Sequence, residues 1–234
     1  MSLYNRHNQN LARGQAYPQE ERVSTTLSTF VSQTYQLFAA SLLAATVGAF
    51  IGLEMVEAIR SWYWGLVIIE IVALVGLMFL KDKPGINLAL LFAFTFLTGL
   101  TLTPLLSAVL GMPNGASAVV SAFLMTTIIF GAMSVYAMKT SRDLASWGRV
   151  LFISVIVILI GSVVNIFLGS PLLQVGIAAI ATLIFSLYIA FDTQMLLRGA
   201  FSSPVEAAIA LYLDVLNIFI SLLQLFGILG SSNE

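Results

Sequence analysis

The chain contains no cysteine, which excludes disulfides, thiolate catalysis and cysteine-based metal sites. Its one histidine, His7, sits in a polar N-terminal stretch with no second histidine to complete a metal site. Charge is equally scarce. Lys, Arg, Asp and Glu make up 9% of the 234 residues and the net charge is −1, against about 25% charged residues in an ordinary soluble domain. With no basic patch or stripe there is no footprint for nucleic acid, so no nucleic-acid partner is expected. The first 28 residues lack an apolar h-region, so they read as a polar cytosolic tail carrying Arg6, Arg13 and Arg22, not as a cleaved signal peptide.

What is plentiful is apolar sequence: 59% of residues are hydrophobic and the mean hydropathy is +0.98. Such a chain is an integral membrane protein with the lipid bilayer as its surroundings. The apolar runs do not alternate, which excludes a β-barrel. Gly76, Gly99, Pro104, Gly131 and Gly161 lie inside them, as membrane helices tolerate, and the glycines are assigned to helix packing.

A membrane helix needs about 20 apolar residues. Seven segments qualify: 30–53, 62–80, 86–110, 115–138, 148–168, 172–197 and 205–229. The expected fold is therefore an all-α membrane protein of seven transmembrane helices, with a tail at 1–28 and one membrane domain over 29–234. Connections such as "KDKPG" (81–85) and "KTSRD" (139–143) leave no room for a soluble module. Trp62, Tyr63, Trp64 and Trp147 lie at span ends, as interfacial anchors do. With the tail inside, nine of the ten Lys and Arg residues lie on the inner side and only Arg60 lies outside. The expected orientation is N-terminus in the cytosol and C-terminus outside.

Against this background three acids stand out within spans: Glu70 in the second, Asp192 in the sixth and Asp214 in the seventh. A charged side chain at a helix centre costs roughly 2.5 to 3.5 kcal/mol on insertion scales, so such residues face a cavity or a partner. From the rise per residue, Asp192 lies roughly 9 Å from Arg198, Asp214 roughly 13 Å inside Val205 and Glu70 roughly 16 Å before Lys81. Asp214, Asn217, Ser221 and Gln224 recur at spacings of three, four and three, forming a polar stripe on one helical face. Tyr188 lies one turn before Asp192; Thr95, Thr98 and Thr103 lead to Pro104 in the third span. Two carboxylates close together in low dielectric share a proton and titrate as a pair. Deprotonated, Asp192 and Asp214 offer oxygens to a hard cation such as Ca²⁺ in transit.

"AFDTQMLL" and "LYLDVLNIFISLLQLFG", with "IIEIVALVGLMFLK" and "LLAATVGAFIG" in spans two and one, resemble the Bax-inhibitor (TMBIM) family over about 30–230, most closely its bacterial pH-sensitive calcium-leak members. The resemblance implies two three-helix layers around a central C-terminal helix, residence in a bacterial inner membrane, and a pH-sensing pair at Asp192 and Asp214. It also implies that Glu70 lines the pathway and that Lys81 occupies the position of an arginine that latches onto the pair. A lysine keeps the charge of that latch and loses its bidentate fork.

Three functions follow as expectations. The first is a pH-sensitive calcium leak channel, with Ca²⁺ and protons as its ionic partners, no cofactor and no enzymatic activity. A proton/cation exchanger is the nearest alternative. Regulation of a membrane protease, as some bacterial family members perform, is another. An intramembrane aspartyl protease also places two aspartates on spans six and seven, but this chain has Phe191-Asp192 and Tyr212-Leu213-Asp214 with no Gly-x-Gly-Asp and no Pro-Ala-Leu.

Overall fold

The computed structural model describes the backbone of residues 3–231 and the side chains of residues 26–228. The expected tail over 1–28, with His7 and its arginines, falls almost wholly outside the described side chains. Seven long helices make up most of the described residues: α1 (Leu3–Glu54), α2 (Val56–Leu80), α3 (Ile86–Leu110), α4 (Gly115–Lys139), α5 (Gly148–Leu168), α6 (Pro171–Leu197) and α7 (Pro204–Ser231). A single 3₁₀ turn, Leu144–Trp147, leads into α5, and no strand occurs among the described residues. Seven segments of 25 to 29 residues are long and apolar enough to cross a membrane; that of α1 is Thr26–Glu54, and that of α5 takes in the preceding 3₁₀ turn, Leu144–Leu168.

The helices form two triplets, as expected. In the first, α3 lies in the middle, packed against α1 and α2; in the second, α6 lies between α4 and α5. α7 passes between the triplets and meets α1, α3, α4 and α6. Its span is the most buried of the seven, 39% against 6% for the span that includes α5. Leu211, Tyr212, Ile218 and Leu223 of α7 are fully buried. The C-terminal helix is thus the axis of the bundle.

Close approach of α1 and α3 depends on small residues. A Cβ on Gly99 would collide with the Ala45 carbonyl and the Ala49 nitrogen, and one on Gly48 would collide with the Phe96 carbonyl. Gly52 meets the Thr103 side chain in the same way. Ala45, Gly48, Ala49 and Gly52 recur at helical spacing, so one face of α1 presents backbone instead of side chains. The expectation for Gly131 fails: nothing lies within 4 Å of a Cβ built there, because it faces away from the bundle.

Three connections, α2–α3, α4–α5 and α6–α7, share one end of the bundle and are tied across it. Lys81 pairs with Glu206, Ser202 Oγ donates to Asp82 (3.4 Å), and Arg198 pairs with Asp143. At the same end Asp143 caps the 3₁₀ turn by accepting from the Ala145 N–H (3.1 Å). At the opposite end α6 starts with Ser170 as cap and Pro171 as its first residue, a pairing that fits the unpaired N–H groups of a helix start.

Candidate functional site

Asp192 lies five residues from the end of α6, and Asp214 ten residues into α7. At the helical rise these are depths of about 8 Å and about 15 Å from the connected end. The two helices pack side by side and bring the two carboxyl groups within hydrogen-bonding reach of each other. They are 7% and 4% exposed. A carboxylate carries no donor, so a bond between the two requires a shared proton.

Asp214 Oδ2 is buried and accepts from no N–H or hydroxyl among the described residues, so the neighbouring carboxyl is the group that can satisfy it. Among the described residues no salt bridge includes either aspartate. The Tyr188 phenol is within electrostatic reach of both, and its ring packs between Phe185 (6.0 Å) and Phe191 (6.2 Å).

The other expected site residues are distributed differently. Lys81 does not latch onto the pair: its Nζ lies 2.5 Å from Glu206 Oε1 in the first turn of α7. The reason is position. Lys81 caps the end of α2, level with the start of α7, whereas Asp214 is two turns deeper. The hydrogen bond to Glu206 holds the Lys81 ammonium above the usual lysine range. Glu206 Oε2 is occupied too, by the Ser202 N–H (2.9 Å) and hydroxyl (2.6 Å).

Glu70 belongs to a second polar cluster. Its Oε2 accepts from the Thr101 hydroxyl (2.6 Å). Thr101 also reaches the Thr98 carbonyl (3.2 Å), and the Thr98 hydroxyl bonds to Tyr212. Tyr212 stands two residues before Asp214, about 200° around the helix, so Glu70 and the aspartate pair address opposite faces of α7. On the expected stripe, Asn217 Nδ2 donates to the Leu213 carbonyl and Ser221 Oγ to the Asn217 carbonyl, both at 2.7 Å. Each thus satisfies its own helix. Gln224 lines a cavity of about 310 Å³ with Ser162, Asn165 and Gln174. A larger cavity of about 510 Å³, bounded by α1, α3, α4 and α7, is apolar and lined by residues such as Phe38, Leu53, Phe123 and Phe219.

For a cation, the pair offers two carboxyl groups and no more: no cluster of three or more His, Cys, Asp or Glu exists among the described residues. Ca²⁺ takes 6 to 8 oxygen ligands when bound tightly. Two carboxyl groups by themselves fall short of that set.

Two residues that sequence reasoning passed over matter here. Glu206 ends the pattern Ser203-Pro204-Val205-Glu206, a helix-start signature that marks a first-turn carboxylate. Gln194 follows Asp192 by two and is 6% exposed; a buried amide next to a buried acid was the available signal.

The sequence profile described as "Inhibitor of apoptosis-promoting Bax1" matches residues 27–231. An uncharacterized protein of Helicobacter pylori strain J99 is 50% identical over 100% of both chains. The modulator of FtsH protease YccA of Escherichia coli K12 is 37% identical over 68% of this chain and 74% of its own length. Inner membrane protein YbhL of the same strain is 30% identical over 86% and 92%. With the seven-helix bundle, the buried aspartates on α6 and α7 and a profile match spanning both, this chain belongs to the Bax inhibitor family.

Proposed function

We propose that this protein is a pH-sensitive calcium leak pathway of the bacterial inner membrane, gated by Asp192 and Asp214. The observation that carries the reading is the pair of buried carboxyl groups that face each other between α6 and α7. While the proton is shared, the pair is neutral and joins α6 to α7. When it leaves, two like charges face each other in low dielectric, which favours separation of the helices and recruits a cation. Flux therefore rises as the pair deprotonates. Lys81, held by Glu206, pins the start of α7 to the end of α2 and resists that separation. The charge bias of the connections supports a cytosolic position for this end. On this reading the chain is not an enzyme.

The test is Ca²⁺ flux into vesicles containing the reconstituted protein, across about pH 5 to about pH 8. Wild type shows a sigmoidal rise; the Asp192→Asn, Asp214→Asn double variant is flat. A double variant with the full wild-type pH profile overturns the assignment. Protons moving uphill with Ca²⁺ would replace the leak by coupled exchange.

A second reading, regulation of a membrane protease, has its own support in the relative named as a modulator of FtsH protease. Co-purification of the full chain with FtsH from membranes tests it; absence of the protease at any detergent concentration that keeps the bundle folded removes it.

A further inference from the structure

The turn of α6 that carries Asp192 is braced in three directions by consecutive residues. Asp192 faces Asp214 of α7. Thr193 meets Ser134 of α4 (3.4 Å) and faces Tyr35 of α1. Gln194 addresses the α4–α5 connection with both ends of its amide: Oε1 accepts the Leu144 N–H (2.8 Å) and Nε2 donates to the Arg142 carbonyl (3.0 Å). One turn further on, Arg198 pairs with exposed Asp143 of the same connection (2.5 Å).

We propose that Gln194 is a positioning residue, which hangs the Asp192 turn from the 142–144 connection and thereby sets how tightly the carboxyl pair holds its proton. Asp192 and Gln194 are two residues apart, about 200° around α6, so the amide anchors the side of the helix facing away from α7. Leu144, whose N–H it binds, is fully buried in a cluster with Ala137 and Ala190, which makes the anchor point rigid. No other side chain makes both bonds: Glu lacks the donor, Asn is one methylene short, and Met fills the space with neither. Freed from the connection, the turn moves away from α7, the carboxyl–carboxyl bond lengthens, and the second charge becomes cheaper.

The groups facing the pair are few. Tyr188 stands on α6 itself, Tyr35 of α1 acts through Thr193, and Glu70 of α2 reaches only the Tyr212 side of α7. Lys139, Arg142, Asp143 and Arg198 lie around the connection, and none of them bonds either carboxyl.

The inference rests on the pair as the proton-responsive element and does not require that ions pass. Infrared difference spectroscopy of the full chain in vesicles reads carboxyl protonation directly, with Asp192→Asn assigning the band. In Gln194→Met the pair loses about tenfold in proton affinity, one pH unit of midpoint, and the Leu144 amide exchanges faster. Arg198→Gln, which loosens the same connection at its exposed edge, leaves the midpoint in place. Should Gln194→Met not fold, Gln194→Asn reads the same shift. An unchanged midpoint with faster Leu144 exchange overturns the proposal and leaves Gln194 a structural clamp. Vesicles impermeable to Ca²⁺ at every pH would remove the leak reading while the infrared measurement still decides this one.

Discussion

Lys81 Nζ lies 2.5 Å from Glu206 Oε1, joining the last turn of α2 to the first turn of α7 at the level where the connecting segments emerge. Both side chains are about one-third exposed, 31% and 30%, so the contact is worth at most about 1 kcal/mol. That is the scale of a device that biases a helix without freezing it. Because the hydrogen bond that Lys81 donates to Glu206 holds its ammonium above the usual range, the lysine contribution is fully present below its ordinary value near 10.4 and is lost only as pH rises through the higher folded value. From the lysine side, the contact is thus indifferent to neutral pH.

Removing the contact should change amplitude and not midpoint. Glu206→Gln is expected to raise basal Ca²⁺ flux about two- to fivefold, the equivalent of up to about 1 kcal/mol, with the pH midpoint where it was. A midpoint that moves with Glu206→Gln would place the sensor at this contact instead of at Asp192 and Asp214.

Asp143 provides a control at the same end. The hydrogen bond from Arg198, with the Ala145 N–H, holds its carboxyl below the usual range. Its contribution is present above about pH 3.9 and disappears as pH falls through the lower folded value. Asp143→Asn should therefore differ slightly from wild type in melting temperature at neutral pH and converge with it in acid, while the flux profile between about pH 5 and about pH 8 is unaltered.

The α1–α3 crossing predicts a contrast between two glycines. Gly99→Val drives side-chain atoms into the Ala45 carbonyl and should cost about 1 to 3 kcal/mol or prevent assembly. Gly131→Ala, with open space around it, should stay within about 0.5 kcal/mol of wild type. Thermal unfolding in detergent separates the two. Equal melting temperatures would mean that α1 and α3 do not meet as described.

Tyr212→Phe removes the hydroxyl that joins α7 to Thr98 while keeping the ring against Phe94, centroids 6.1 Å apart. The expected loss is about 1 kcal/mol of stability. Since Glu70 is on this side of α7 and the aspartates are on the other, the pH midpoint of flux should not follow. Glu70→Gln, which still accepts from Thr101, should be milder still on the same melting scale.

Some of this could be read directly from residue order. A chain with 9% charged residues and seven apolar runs has one way to satisfy its backbone in lipid, and that fixes helices, their number and their approximate ends. Asp192 and Asp214 were legible for the same reason: a buried acid is too costly to be incidental, and two at similar depth on neighbouring spans imply a pair. Helical periodicity also placed Asn217, Ser221 and Gln224 on one face, but periodicity does not say what a side chain bonds. Asn217 and Ser221 turned to the carbonyls of their own helix, which lie one turn back and closer than any other acceptor.

What residue order could not supply were relationships between distant positions. Whether Lys81 meets Asp214 or Glu206 depends on the axial offset between α2 and α7. Whether Glu70 joins the pair depends on which face of α7 turns toward α2, and whether Gln194 meets lipid or the 142–144 backbone depends on where the connection folds back. Each of those depends on helix packing, of which the close α1–α3 approach at Gly48 and Gly99 is one instance. The sequence by itself determined seven spanning helices and a buried pair of acids, because hydrophobicity and desolvation act residue by residue; only the tertiary structure decided the partners of Lys81, Glu70 and Gln194, because a hydrogen bond between spans depends on packing distance and rotation that no local pattern encodes.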